Sequence, residues 1–343
     1  MFKAAVLVKQ NKPLQIMKLK IPNLDYGQVL VRMITSGICG RQIQEIFGYK
    51  GEDKFLPHLL GHEGSAVVES VGPGVSKVKK GDKVILHWKK SSGLKATTPN
   101  YYYNNNKINA GWVTTFNEVS IVPENRITKL PKNISPKRGI LFGCSLTTAY
   151  GTLKRNGKIS QRDTILIIGV GNIGLAMVYI CKLIGCKNVI AIDKNIEKLR
   201  LAKSLGASEI FDLKKINTLN KEILSTLNGK KPTKIFENTG DVKMIEFAYE
   251  ILNSRGILSL VGVPHFRKKI KINTLALHLG KKMVGSFGGG GDPANDIKEI
   301  NKLIKNKKTL DSLLGKEFNL KNINKPISQM IKNKLILKPV IKF

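Results

Sequence analysis

The strand-like run Thr164-Ile165-Leu166-Ile167-Ile168 passes directly into Gly169-Val170-Gly171-Asn172-Ile173-Gly174 and then into an apolar helical pattern through Met177, Ile180, Leu183 and Ile184. Nothing else in the chain restricts the fold so tightly. Gly169 permits the sharp turn out of the strand, Gly171 lets the backbone approach a pyrophosphate, and Gly174 allows the helix to pack closely on the strand. Asn172 and Ile173 open the helix, whose first N–H groups and positive dipole end suit phosphates. A second apolar run, 188–192, ends on Asp193, nineteen residues past Gly174. A carboxylate there accepts hydrogen bonds from the ribose hydroxyls and repels a 2′-phosphate, so the pattern predicts NAD over NADP. Lys194 beside it blurs that preference.

Around this motif the chain changes character twice. From about 148 to 286 strand and helix patterns alternate, with later strands expected at Lys234–Glu237, 256–261 and Lys282–Gly285. That alternation predicts an α/β unit, a doubly wound parallel sheet with helices on both faces. Residues 1–147 instead hold short β-type runs (4–8, 28–33, 64–71, 82–87 and 115–121) punctuated by Gly and Pro, which predicts an irregular, partly barrel-like β domain. The tail 287–343 opens on a glycine run ending in Asp292-Pro293 and continues with a helical pattern over 296–305.

A second motif lies in the first region. Leu60-Gly61-His62-Glu63-Gly64 is preceded by Cys39 and followed by Cys144. One imidazole and two thiols make the ligand set of a catalytic zinc with one position open. The three lie far apart in sequence, and spacing alone leaves open whether they meet or whether His62 is a partly buried histidine beside a surface Glu63. Cys181 and Cys186, on and just past the helix of the glycine motif, read as inert, with Cys181 on its packing face.

In order and spacing the chain resembles the medium-chain, zinc-dependent alcohol dehydrogenase superfamily over nearly its whole length. The matching landmarks run Gly37-Ile38-Cys39-Gly40, Gly61-His62-Glu63-Gly64, Val71-Gly72-Pro73-Gly74-Val75 and Gly81-Asp82-Lys83-Val84. Gly143-Cys144 with Thr147-Thr148-Ala149-Tyr150-Gly151 follows, then the glycine motif, Leu260-Val261-Gly262-Val263-Pro264, and Ser286-Phe287-Gly288-Gly289. The resemblance implies a GroES-like catalytic domain (1–147) to which the tail 287–343 returns. It also implies a Rossmann NAD-binding domain (148–286), with the active site in the cleft between the two domains. It makes Cys39, His62 and Cys144 the ligands of one catalytic zinc, and Glu63 an alternate ligand or a neighbour that helps exchange the fourth one. Val261, Val263 and Phe287 would hold the nicotinamide carboxamide, and Lys198 would reach the adenosine ribose. The implied reaction is hydride transfer between NAD and a small alcohol or its carbonyl, with zinc polarising the oxygen. A secondary alcohol or polyol, sugar-derived ones included, is the expected substrate. Relatives form homodimers or homotetramers, often through edge strands such as Lys282–Gly285. Many also carry a four-cysteine structural zinc lobe, but the matching stretch 87–112 has no cysteine, so no second zinc is predicted. Its Tyr101-Tyr102-Tyr103-Asn104-Asn105-Asn106 reads as an exposed connector rather than a cover for the cleft.

One family position departs from the pattern. Two residues after the first cysteine, relatives carry a Ser or Thr whose hydroxyl relays the alcohol proton. Here Arg41 stands there, with Gln44 three residues on. Arginine is a permanent cation and cannot act as a shuttle base. Another hydroxyl or a water chain must serve, or Arg41 clamps an anionic part of the substrate or the cofactor pyrophosphate, or the activity is altered. His58, four residues before His62, is a candidate substitute relay.

Composition narrows the alternatives. The net charge of +34 invites a nucleic-acid reading, but only nine of the 58 basic residues are arginine and 6% of the chain is aromatic, so no specific nucleic-acid partner is expected. No apolar stretch reaches the ~18–20 residues of a membrane span. Met1–Val8 reads as a first strand rather than a signal peptide, and four cysteines fit a reducing, cytoplasmic setting. The competing readings are a zinc-independent reductase of the same fold and a non-enzymatic basic binding protein.

Overall fold

The computed structural model of the chain describes residues 1–334 and 336–343, including their side chains except those of 215–217. It divides into two compact units, Met1–Cys144 with Asp292–Phe343, and Ser145–Gly291. No helix among the described residues is long and apolar enough to cross a membrane.

The second unit is built on six parallel strands. Across the sheet they run Glu209–Asp212, Asn188–Asp193, Thr164–Ile168, Lys234–Glu237, Ile257–Leu260 and Lys282–Gly285. In chain order this is 3-2-1-4-5-6, the doubly wound arrangement in which ligands bind where the order reverses, at the carboxyl ends of the strands. The strand residues Ile165, Leu166, Ile167 and Ile168 are all fully buried, as a strand covered on both faces requires. Leu166, Ile168, Ile190 and Ile192 pack with Leu219, Ile223, Met244 and Tyr249 from flanking helices. Each such aliphatic side chain contributes about 1.5–3 kcal/mol by leaving water. The helix Asn172–Ile184 stops at Gly185, whose φ of 92° lets its N–H close back on the Cys181 and Lys182 carbonyls.

The first unit is mostly antiparallel. Its main sheet runs Ile127–Lys129, Lys83–His87, Glu63–Val71, Gln28–Gly37, Lys338–Lys342, Leu314–Asn319, with Val119–Pro123 also pairing with Gln28–Gly37. Alternate residues Val29, Val31 and Met33 meet Ala66, Val68, Val84 and Leu86 in one core. The chain's last strand, Lys338–Lys342, pairs with the end of Gln28–Gly37 at Gly37, Ser36 and Thr35, so the C-terminal segment completes this sheet.

Three local expectations are corrected. Only Val119–Pro123 of the stretch 115–121 is a strand, because the N–H groups of Thr115 and Phe116 go to the Leu60 carbonyl and Asn117 makes an isolated bridge to Ala4. The tyrosine-rich stretch is a hairpin, Tyr101–Tyr103 with Asn106–Ile108. Asn104 and Asn105 turn it with φ of 44° and 65°, the paired positive values of a two-residue hairpin turn. Tyr101 is core, fully buried against Phe2, with its hydroxyl accepting the Ile121 N–H at 2.9 Å. The tail helix, Pro293–Leu303, begins before the expected 296 because Asp292 caps it, accepting the N–H groups of Ala294 and Asn295 ahead of a first-turn proline.

Candidate functional site

Three elements of the first unit bring Cys39, His62 and Cys144 together. Cys39 follows the strand Gln28–Gly37 and caps the short helix Gly40–Ile46. His62 immediately precedes the strand Glu63–Val71, and Cys144 ends the helix Pro136–Gly143. One ligand atom from each lies within 4.8 Å of the others. Two glycines make the approach possible. At Gly61 (φ 90°) a Cβ would sit 2.3 Å from Thr115 Oγ1, and at Gly143 it would sit 2.6 Å from the Leu86 carbonyl oxygen and 2.9 Å from Glu63 Cβ. Gln42 braces the histidine: its Oε1 accepts the Gly61 N–H, while its amide nitrogen lies 2.9 Å from His62 Nδ1.

The electrostatics are those of a coupled donor set. Hydrogen bonding from the Cys144 thiol pulls Cys39 well below the ordinary thiol range, against its burial and with help from His62. Cys144 moves well up for the same reason, with burial adding to it. Burial pulls His62 down, but the hydrogen bond and charge of Cys39 outweigh it and raise the imidazole. The thiolate form is thus favoured at Cys39 and disfavoured at Cys144. Two thiols and an imidazole so placed fit a Zn²⁺ ion, which takes thiolate and neutral imidazole ligands.

Behind the donor set lies a buried ion pair that the sequence reading missed. Glu63 and Lys338 are both fully buried, and Lys338 Nζ donates to Glu63 Oε1. Glu63 Oε2 is also buried and has no hydrogen-bond partner among the described residues. Burial raises Glu63, and Lys338 restrains the rise. Burial would lower Lys338, but the Glu63, Cys39 and Cys144 charges outweigh it and raise it. Gly37 makes room for the pair, since a Cβ there would meet Glu63 Oε1 at 2.9 Å and Lys338 Cδ at 3.0 Å. The local hint in the sequence is a lysine flanked by Leu337 and Pro339-Val340-Ile341, which does not name its partner.

The relay candidates fall into different settings. Arg41 is half-buried and donates from Nη1 to Gln44 Oε1 at 2.7 Å. His58 is not part of the cysteine–histidine group. Its Nε2 lies 2.7 Å from Asp53 Oδ2 and its Nδ1 donates to the Leu59 carbonyl at 2.9 Å, so both ring nitrogens are spent locally.

In the second unit the glycine motif turns at the point where the strand order reverses. Gly169 has φ 83°, and a Cβ on it would meet Thr239 Cγ2 at 2.7 Å; one on Gly174 would sit 2.2 Å from the Gly169 carbonyl oxygen. Gly171 differs, because a Cβ there would meet nothing within 4 Å. This residue caps the helix without any side-chain hydrogen bond, leaving the N–H groups around Asn172 and Ile173 to serve an anion. Asp193 ends its strand with Oδ2 accepting the Val170 N–H and Oδ1 the Asn195 N–H, both at 2.9 Å, which fixes the carboxylate at the motif. Each oxygen keeps a lone pair for a further donor. Lys198 lies in the first turn of the next helix, its N–H held by Asn195. The Val261 N–H is spent on the Glu237 carbonyl, Val263 backs onto Gly240, and Phe287 is largely exposed. These positions fit a dinucleotide: an open glycine, an uncapped helix start and an anchored carboxylate.

Comparison with known proteins agrees with both units. Residues 25–132 match the family model of the alcohol dehydrogenase GroES-like domain, and residues 172–306 match that of zinc-binding dehydrogenases. Among curated proteins the chain is similar to alcohol dehydrogenase 6 of Peromyscus maniculatus, 29% identical over 357 residues that cover 96% of this chain and 95% of the relative. Among solved structures, an alcohol dehydrogenase zinc-binding domain protein from Burkholderia ambifaria superposes with a TM-score of 0.90 at 24% identity, covering 100% of this chain and 98% of the other. Benzyl alcohol dehydrogenase from Acinetobacter calcoaceticus superposes at 0.87 and 24% identity, covering 100% and 99%. At these identities the structural likeness speaks for the fold.

Proposed function

We propose that this chain, which belongs to the zinc-dependent alcohol dehydrogenase family of medium-chain dehydrogenases, holds one zinc ion and exchanges hydride between NAD and a small secondary alcohol or polyol. The observation that carries the reading is the meeting of Cys39, His62 and Cys144 from three separate elements.

Zinc bound there would supply Lewis-acid polarisation of an alcohol or carbonyl oxygen. The chain's own residues prepare the rest. Cys39 and Cys144 would bind as thiolates after losing their protons, and His62 would present a neutral ring nitrogen. Glu63, pinned at Oε1 by Lys338, keeps Oε2 as a spare acceptor beside the donor set. The N–H groups at Gly171–Ile173 would bind the pyrophosphate, and Asp193 would accept the ribose hydroxyls and disfavour a 2′-phosphate. Arg41 cannot take the alcohol proton, so that proton must leave by a hydroxyl or through water.

Cys39→Ala is the direct test. The wild-type protein should contain about one zinc per chain and form NADH from polyols or secondary alcohols. The variant should lose both metal and turnover while its affinity for NAD stays within about threefold, since the two sites lie on different units. Undiminished turnover in the metal-poor variant would reject the assignment.

A further inference from the structure

Arg41 differs from the arginines that pair with a carboxylate. Arg138 spends its fork on both oxygens of Asp311, at 2.8 and 2.6 Å. Arg32 and Arg200 face Glu69 and Glu197, each at 2.5 Å. Arg155 donates to the Gly289 and Gly290 carbonyls, and Arg126 donates to the Trp88 carbonyl and lies over the Trp112 ring. Arg41 has a neutral amide oxygen, Gln44 Oε1, and among the described residues no carboxylate oxygen lies within 4.0 Å of it. One of its five guanidinium N–H groups is accounted for in this way.

Its position gives that surplus a use. Arg41 lies two residues past Cys39 and is half-buried. It sits in the first turn of the helix Gly40–Ile46, which Cys39 itself caps. Two thiolates on Zn²⁺ form a formally neutral centre, and Glu63 is already committed to Lys338. Glu45, one turn along the same helix, makes no ion pair with Arg41 among the described residues, so no anion contacts the guanidinium. A partly desolvated cation with unspent donors is costly until an anion meets it, and the planar fork matches an oxyanion two donors at a time.

We infer that Arg41 is a specificity-determining residue that selects alcohols carrying an oxyanion, a carboxylate or a phosphate, a few atoms from the reacting hydroxyl. This deepens the dehydrogenase reading and rests on it. The residue that displaces the relay hydroxyl would thereby turn the site from neutral alcohols towards hydroxy acids or hydroxyalkyl phosphates.

The test uses the zinc-loaded full chain and matched pairs: 3-hydroxybutyrate against 2-butanol, and glycerol 3-phosphate against glycerol, each as separate enantiomers where they exist. The expected result is a higher kcat/KM for one anionic member over its neutral partner. Arg41→Gln should lower that value by about 10- to 100-fold, mainly through KM, and change the neutral partner by less than about threefold. Arg41→Lys should recover part of a phosphate preference but little of a carboxylate one. The carboxylate and phosphate arms identify which oxyanion the site takes. Calorimetric titration of isobutyrate and of inorganic phosphate into wild type and Arg41→Gln supplies a readout independent of turnover. Binding lost in the variant supports the inference. Equal binding, or a neutral preference that Arg41→Gln leaves unchanged, overturns it. Weakened NADH affinity in Arg41→Gln with unchanged substrate ratios also overturns it, by assigning the cation to the cofactor. If no alcohol of either kind yields NADH the dehydrogenase reading fails, whereas turnover of alcohols with an anionic-to-neutral ratio that Arg41→Gln leaves unchanged removes the inference alone.

Discussion

Glu63 and Glu237, one in each unit, are both fully buried, and the two solve the cost of burial differently. Glu63, in the first unit, is met by a full positive charge from Lys338 and leaves one oxygen without a partner. Glu237, in the second, forms no ion pair among the described residues. Its Oε1 accepts from the N–H and hydroxyl of Thr239, and its Oε2 accepts the Gly240 N–H at 3.0 Å. Burial raises both groups, with the ammonium restraining one and the loop donors restraining the other. A charge partner brought from 275 residues away ties the C-terminal strand to the donor set. Local donors do something narrower. They shape the turn Glu237-Asn238-Thr239-Gly240, against which Gly169 and Val263 pack.

The largest effect should come from removing the charge partner. Lys338→Met leaves a buried carboxylate uncompensated and should cost about 3–5 kcal/mol in urea unfolding, whereas adding Glu63→Gln to it should return most of that loss. A double variant as unstable as the single one would mean that Lys338 acts through packing and that the contrast between the two carboxylates is false.

Glu237→Gln should cost less, about 1–3 kcal/mol, because an amide NH₂ must face one of the loop donors. The pH dependence sharpens this. Glu237 is raised in the folded state, so its contribution is fullest below about pH 4.3, the unfolded value, and is lost as pH rises through the folded value. The variant lacks that decline, so its deficit measured by thermal unfolding should be larger at pH 4 than at pH 7. A deficit that grows with pH would show that the loop donors favour the ionised form more than burial disfavours it.

The same contrast explains what the sequence made legible. The candidate dinucleotide loop could be read because its parts are contiguous: strand, glycines, helix and Asp193 fall within thirty residues, and backbone sterics dictate Gly169 and Gly174. The proposed zinc donors are three distant residues whose order and spacing matched a family, so they were nameable, but their meeting depends on where two strands and a helix end. Lys338 was out of reach because strand pairing between Lys338–Lys342 and Gln28–Gly37 brings it to Glu63, and no local pattern encodes that pairing. Tyr101 was misread for a related reason. Its neighbours Tyr102 and Tyr103 are exposed, and the hairpin's docking against Phe2 decides which of three identical residues is core.

The smallest effect probes how far Glu237 depends on a single donor. Thr239→Val removes a hydroxyl but leaves the Thr239 and Gly240 N–H groups on the carboxylate, and its second methyl replaces the lost oxygen in volume. The cost should be about 0.5–1.5 kcal/mol, roughly one hydrogen bond, because the remaining donors keep the carboxylate from being orphaned. The hydroxyl also accepts the Asp241 N–H at 3.0 Å, an exposed contact that water can replace. If urea unfolding instead gave a loss as large as that of Lys338→Met, the carboxylate of the second unit would depend on one partner as completely as Glu63 does. Charge pairing and distributed hydrogen bonding would then cease to be different solutions here.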